Sequence, residues 1–156
     1  MYSKKVLDHF QNPRNRGQIK NPDGAGKVGN IICGDVMHLY IKIAKNRKNR
    51  PVIKDIKFKT LGCAAAIANS SIITELAKNK TIPKALKINK STIIKSLGGL
   101  PPIKIHCSIL AIDALAEAVH NYLSKSNQKI PPKLATIHQR IEKERELIKQ
   151  KYKNWK

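Results

Sequence analysis

Aromatic side chains are rare in this sequence, at 4% of residues, and acidic groups number only 10 against 31 lysines and arginines. The thin aromatic content removes the stacking platforms on which single-stranded nucleic-acid binders rely. Long apolar runs are missing too: no stretch approaches the roughly 18 residues that read as a membrane-spanning helix. The opening MYSKKVLDHF has no apolar core or cleavage site of a secretory signal, so a soluble, cytoplasmic protein with no membrane partner is expected. Cysteine is limited to three positions, none in a CxxC pair, which excludes a zinc ribbon and a thioredoxin-like redox motif. No internal repeat is present.

What is there suits a folded domain. Hydrophobic residues make up 41% of 156 positions, too many for a disordered chain and enough for one core without a disulfide or structural metal. The formal net charge of +21 comes mainly from lysine and runs along the whole chain. Base readers favour arginine forks, and arginine is scarce here. Such a charge attracts polyanions generally, and no specific nucleic acid is expected.

The hydrophobic period organises the chain. SKKVLDHFQ (3–11) places Val6, Leu7 and Phe10 on one helical face, and NPRN ends it. Residues 12–30, rich in Asn, Gly and Pro, read as loop. Alternation of Met37, Leu39, Ile41 and Ile43 against Val36, His38 and Tyr40 predicts a strand, and PVIKDIKFKT predicts a second strand after the basic turn at 45–50. From GCAAAIANSSIITELAKNK onward the period becomes helical. Two short helices are expected in TIPKALKI and KSTIIKSL, the second stopped by Gly98–Gly99. A long amphipathic helix follows over SILAIDALAEAVHNYLSK. NQKIPPK marks a linker, after which Leu134, Ile137, Ile141, Ile148, Tyr152 and Trp155 predict a terminal amphipathic helix, docked on the body. The expected fold is α+β: a small antiparallel sheet of about three strands with helices on one face, residues 1–124 as the main domain and 125–156 as a basic helical extension.

Each cysteine has a distinctive setting. In CGD, Cys33 and Asp35 sit two apart in a segment read as extended, so both would face the same side, with Gly34 permitting close approach. Cys63 follows a strand and opens a helix, where the dipole favours a thiolate. Cys107 also stands at a helix start, preceded by His106 and by LPPIK (100–104), whose two prolines suggest an extended strip. Each cysteine could instead be a small buried apolar residue. As ligands, three thiolates with an imidazole or carboxylate suit either a tetrahedral zinc ion or a 2Fe–2S cluster. His9, His38, His120 and His138 lack comparable neighbours and are expected at the solvent.

Five separated motifs, NPRN (12–15), CGDVM (33–37), FKTLGC (58–63), AIANSS (66–71) and LPPIKIHCSILA (100–111), occur in order across about residues 2–124. Together they resemble the iron–sulfur cluster assembly scaffold family of IscU and the NifU N-terminal domain. The resemblance implies a non-enzymatic scaffold that builds a transient 2Fe–2S cluster on Cys33, Cys63 and Cys107, with Asp35 or His106 as exchangeable fourth ligand. It implies sulfur from a cysteine desulfurase, with Cys107 as the persulfide acceptor, and delivery to recipient apo-proteins. It further implies a DnaK-type chaperone with a J-domain co-chaperone gripping Leu100, Pro101, Pro102, Ile103 and Lys104, and a frataxin-like protein or ferredoxin as additional partners. Zinc could occupy the same ligands in the isolated protein. Departures from the family pattern are Ala64 and Ala65 after the second cysteine, NII before Cys33, and Arg16.

Other readings compete. A zinc-bound sulfur acceptor of the SufU type would use the same four ligands, but the His106–Cys107 pair and the short span between Cys63 and Cys107 argue against that branch. A thiol hydrolase would need Cys107 and His106 to form a dyad, and neighbours at a helix start are expected to point apart. A basic nucleic-acid binder rests on charge alone.

Overall fold

A computed structural model describes residues 2–29 and 34–152. Helix α1 spans Lys4–Gln11, begun by Ser3, whose hydroxyl accepts from the Val6 amide at 3.1 Å. Its inward face is Val6 with His9, whereas Leu7 and Phe10, expected inside, remain 42% and 41% exposed. The face that receives α1 explains the difference. It belongs to α2 (Ala64–Ala77), which presents the buried hydroxyls of Ser71 and Thr74 there. A polar residue is needed opposite, and His9 Nδ1 meets Ser71 Oγ at 2.7 Å. His9, expected at the solvent, is therefore buried.

Burial, followed by the Arg14 guanidinium, holds the His9 pKa below its ordinary value of 6.5, while Glu75 and Asp8 act in the opposite direction. A depressed folded-state pKa means that the unfolded chain takes up the proton first. The contribution of His9 to stability is thus complete above about pH 6.5 and is lost as pH falls toward the folded-state value. Thermal melts are expected to drop between pH 7 and 5, less steeply in His9→Gln. Equal slopes in the two proteins would assign the drop to other groups.

The sheet is an antiparallel meander, β1 (Gly24–Gly29), β2 (Val36–Lys45) and β3 (Pro51–Leu61), in that spatial order. Met37, Leu39 and Ile41 are fully buried on its inner face, as the alternation predicts, while Val36, His38 and Tyr40 line the other. A register shift at Lys42/Ile43 leaves Lys54 as the extra residue of β3, so that Ile53 and Ile56 both point inward despite their odd spacing.

Strand β1 lies inside the segment read as loop. Its sequence, GAGKVG, carries the composition of a turn because helix α5 (His106–Lys125) lies directly upon it. A Cβ on Gly24 would come within 2.3 Å of the Ala118 carbonyl oxygen, and one on Gly26 within 2.5 Å of the Ala114 oxygen. Glycine is selected here by close backbone approach.

Helices α3 (Ile82–Ala85) and α4 (Lys90–Ser96) follow α2, and Gly98 and Gly99, both at positive φ, end α4. All helices pack on one face of the sheet, the α+β arrangement expected. Helix α6 (Pro132–Tyr152) docks on α5, with Leu134 and Ile141 inside the same apolar core as the sheet. Arg140 adds a bidentate fork to the buried Asp113 carboxylate, at 2.7 and 3.1 Å. The side chains of Tyr152 and Trp155 lie outside the described residues. No described helix is long and apolar enough to cross a membrane.

Candidate metal centre

Strand register builds the site. Val36 pairs with Leu61, so the residue before β2, Asp35, and the residue after β3, Gly62, become neighbours at one end of the sheet. Gly62 leads into Cys63, the N-cap of α2. The N-terminus of α5 arrives at the same end, and its first residues are His106 and Cys107. One buried polar bridge, anchored within α2, ties α2 to α5. Asn69, fully buried, donates to the Ala65 carbonyl at 2.7 Å and accepts from the Ser108 hydroxyl at 2.6 Å. The AIANSS motif is thus an internal hydrogen-bond framework that fixes Cys63 relative to Cys107.

Asp35, His106 and Cys107 each bring a ligand atom within 4.8 Å of the others. Cys107 Sγ lies 3.9 Å from Asp35 Oδ2 and 3.6 Å from His106 Nε2. The expectation that His106 and Cys107 point apart fails. His106 opens α5 directly after a 3₁₀ turn, and its ring reaches back to the sulfur of the next residue. A hydrolase gains little, however, because Cys107 is only 1% exposed.

Cys63 is half-buried and stands beside this trio, outside the 4.8 Å group but in the same small apolar cluster as Cys107, Ala65 and Ala66. Lys104 Nζ reaches its sulfur at 3.8 Å. The Cys63 sulfur, then Tyr2, push the Lys104 pKa up, while partial burial opposes them. Cys33 lies outside the described residues, two positions before Asp35. The linker to it is not extended: Gly34 has φ +73°, in the left-handed region, with open space where a Cβ would stand.

LPPIK also departs from expectation. Only Pro101 is extended; Pro102–Lys104 form a 3₁₀ turn closed by the Lys104 amide on the Pro101 carbonyl at 2.8 Å. Proline is compatible with such a turn at its first position, where no donor is required. Leu100 packs toward the cysteine cluster, whereas Ile103 is 77% exposed.

Two participants escape a reading based on ligand chemistry. Tyr2 packs on the cysteine cluster, with the adjoining Ser3 hydroxyl bound to the Leu97 carbonyl. Gly62 makes room for Asp35: a Cβ there would fall 2.8 Å from Asp35 Oδ1 and 2.8 Å from the Ala66 methyl. Its signal is the glycine before Cys63, legible only once register places Asp35 opposite.

With that geometry in view, the comparisons decide the family. The NifU-like N terminal domain model matches residues 1–129. This chain belongs to that family. It is 53% identical to iron–sulfur cluster assembly scaffold protein IscU 1 of Archaeoglobus fulgidus over 143 residues, covering 92% of this chain and 90% of the relative. It is 48% identical to the IscU scaffold of Aquifex aeolicus over 127 residues, covering 81% and 79%. The solved NifU-like N-terminal structure from Brucella abortus shares the fold, with TM-score 0.60 at 20% identity, covering 79% of this chain and 94% of that one. The general role shared with these relatives is that of an iron–sulfur cluster assembly scaffold.

Proposed function

We propose that this scaffold assembles a 2Fe–2S cluster as cargo on Cys33, Cys63 and Cys107, with Asp35 or His106 as fourth ligand, and passes it to apo-proteins. The observation that carries this reading is the convergence of Asp35, His106 and Cys107 within 4.8 Å at the helix end beside Cys63. Soft sulfur with one harder, exchangeable oxygen or nitrogen donor suits a site that must both hold and surrender iron. The chain acts as an acceptor and carrier rather than an enzyme.

Sulfur arrives from a cysteine desulfurase as a persulfide. The Cys107 thiolate attacks the terminal sulfur, a new S–S bond forms on Cys107, and the donor's cysteine thiolate leaves. With Cys107 only 1% exposed, this exchange requires the 101–106 turn and the His106 ring to lift first. A DnaK-type chaperone, delivered by a J-domain co-chaperone, grips Leu100–Lys104 in a later step and promotes release.

Anaerobic incubation with ferrous iron, cysteine, a desulfurase and a dithiol reductant, which with the iron supplies the electrons that turn persulfide sulfur into sulfide, tests the assembly. The expected product is a visible-absorbing 2Fe–2S chromophore with two irons and two sulfides per site. Tightly retained zinc with sulfur on Cys107 and no chromophore would instead establish the zinc-bound sulfur acceptor.

A further inference from the structure

A second constellation of ligating side chains lies on α5 away from the cysteines. Glu117 and His120 share one face of α5 by their three-residue spacing, and His138 with Glu142 share a face of α6 by theirs. Glu117, His120 and His138 each offer a ligand atom within 4.8 Å of the others. They line a cleft of about 320 Å³ together with Glu142, Arg145 and the glycine-rich backbone of β1. His106 precedes Glu117 by eleven residues, so the group sits about 16 Å along the helix from the cysteine site.

The histidines, expected at the solvent, are half-buried, and their rings stack with centroids 3.7 Å apart and planes 11° apart. Helix docking explains why they meet, but not the carboxylate beneath them. Glu117 is 5% exposed, and its Oε1 is buried with no hydrogen-bond partner among the described residues. Its other oxygen, Oε2, meets His138 Nδ1 at 2.8 Å. An ion seated between them would take the place of the proton they share, turning both atoms into ligands. Arg145 stands 3.7 Å from Oε1 without hydrogen-bonding it, because the guanidinium is engaged by Glu142 at 2.6 Å and by the Lys27 carbonyl.

We propose that Glu117, His120 and His138 form a second metal site, for a single Zn²⁺ ion that clasps α6 to α5. Two imidazoles and a carboxylate form a ligand set suited to zinc. Tetrahedral coordination at about 2.0–2.2 Å brings ligand atoms to about 3.4 Å from each other. The Glu117–His138 pair, at 2.8 Å, therefore opens by about half an ångström on binding, with the two rings splaying from their stack. Glu142 or a water completes the shell. Arg145 is the opposing charge: it screens both carboxylates and weakens the site.

Cobalt(II) titration of the full chain distinguishes this site from the cysteines. With Cys33, Cys63 and Cys107 changed to serine and His106 to alanine, one equivalent of Co²⁺ is expected. It should give visible ligand-field bands, no thiolate charge-transfer band, and displacement by Zn²⁺. His120→Gln or His138→Gln should weaken binding at least about tenfold, and Arg145→Met should tighten it severalfold. Amide exchange across residues 134–148 should slow when Zn²⁺ is added. Should the four-fold variant fail to fold, the unsubstituted protein is expected to take two equivalents, only one with charge transfer, and the histidine variants one. No thiolate-independent equivalent, or one indifferent to both histidines, would overturn the site.

Discussion

Asp35→Ala and Gly62→Ala are expected to slow cluster transfer to an apo-protein by the same factor, about tenfold, corresponding to ~1.4 kcal/mol in the barrier. Asp35 is 5% exposed, and its carboxylate lies between Gly62 and the Cys107 sulfur. A carboxylate oxygen exchanges from iron more readily than a thiolate, so with Asp35 as the fourth ligand of the proposed cluster that bond would be the first to break. Deleting the carboxylate would remove the exchangeable ligand, leaving release to the slower exchange of thiolates. Gly62→Ala reaches the same end without touching a ligand. The new methyl would stand 2.8 Å from Asp35 Oδ1, and the carboxylate must turn away, because the Ala66 methyl and the start of α2 block the alternative. The double variant should be no slower than either single one, since both act through one group. Transfer is followed by the absorbance of the recipient. An unchanged rate in Asp35→Ala removes the exchange role. A normal rate in Gly62→Ala alone would show that the carboxylate does not need the space beside residue 62.

Much of this architecture was legible before any coordinates. Periodicity located β2, β3 and the helices because their buried faces are apolar at regular steps. It failed where tertiary contact overrides composition. GAGKVG reads as loop because its glycines answer to the α5 backbone, a partner about ninety residues away. His9 looked exposed because nothing in SKKVLDHFQ announces that its opposing surface is Ser71. His120 and His138 lie eighteen residues apart on separate helices, and only the docking of α6 stacks them. The Glu117-x-x-His120 and His138-x-x-x-Glu142 spacings were visible signals, overlooked because each pair alone is an ordinary solvated helix face. Cys63 and Cys107, by contrast, stand at helix starts as their local sequence suggests, while Cys33 lies outside the described residues. What spacing does not supply is the meeting of Asp35, His106 and Cys107, which depends on Val36 pairing with Leu61. The extended reading of LPPIK failed for a different reason: two prolines fit the start of a 3₁₀ turn as well as they fit a strand.

Lys104→Ala should abolish chaperone-stimulated transfer while changing unstimulated transfer by no more than about threefold. Two roles meet in this side chain. Its ammonium lies 3.8 Å from Cys63 Sγ, where it offsets negative charge on that sulfur. The same residue closes the 3₁₀ turn of the strip that a DnaK-type chaperone would take. Such a chaperone binds its segment extended, and Pro102–Lys104 must therefore unwind. Unwinding pulls the ammonium away from Cys63 and drags on Ile105, His106 and Cys107, which follow without a break. On the proposed function, chaperone capture and loosening of the site would thus be one movement. The surface-exposed part of the contact is screened by water, which is why removing the charge alone has a modest effect on the unstimulated rate. Lys104→Arg separates the two roles, since a guanidinium keeps the charge beside Cys63 but presents a different shape to a peptide groove. It should retain the unstimulated rate and lose most of the stimulation. A disulfide or crosslink that holds residues 101–105 in the turn should block stimulation even with Lys104 intact. Full stimulation in that locked form would mean that the chaperone acts elsewhere on the chain.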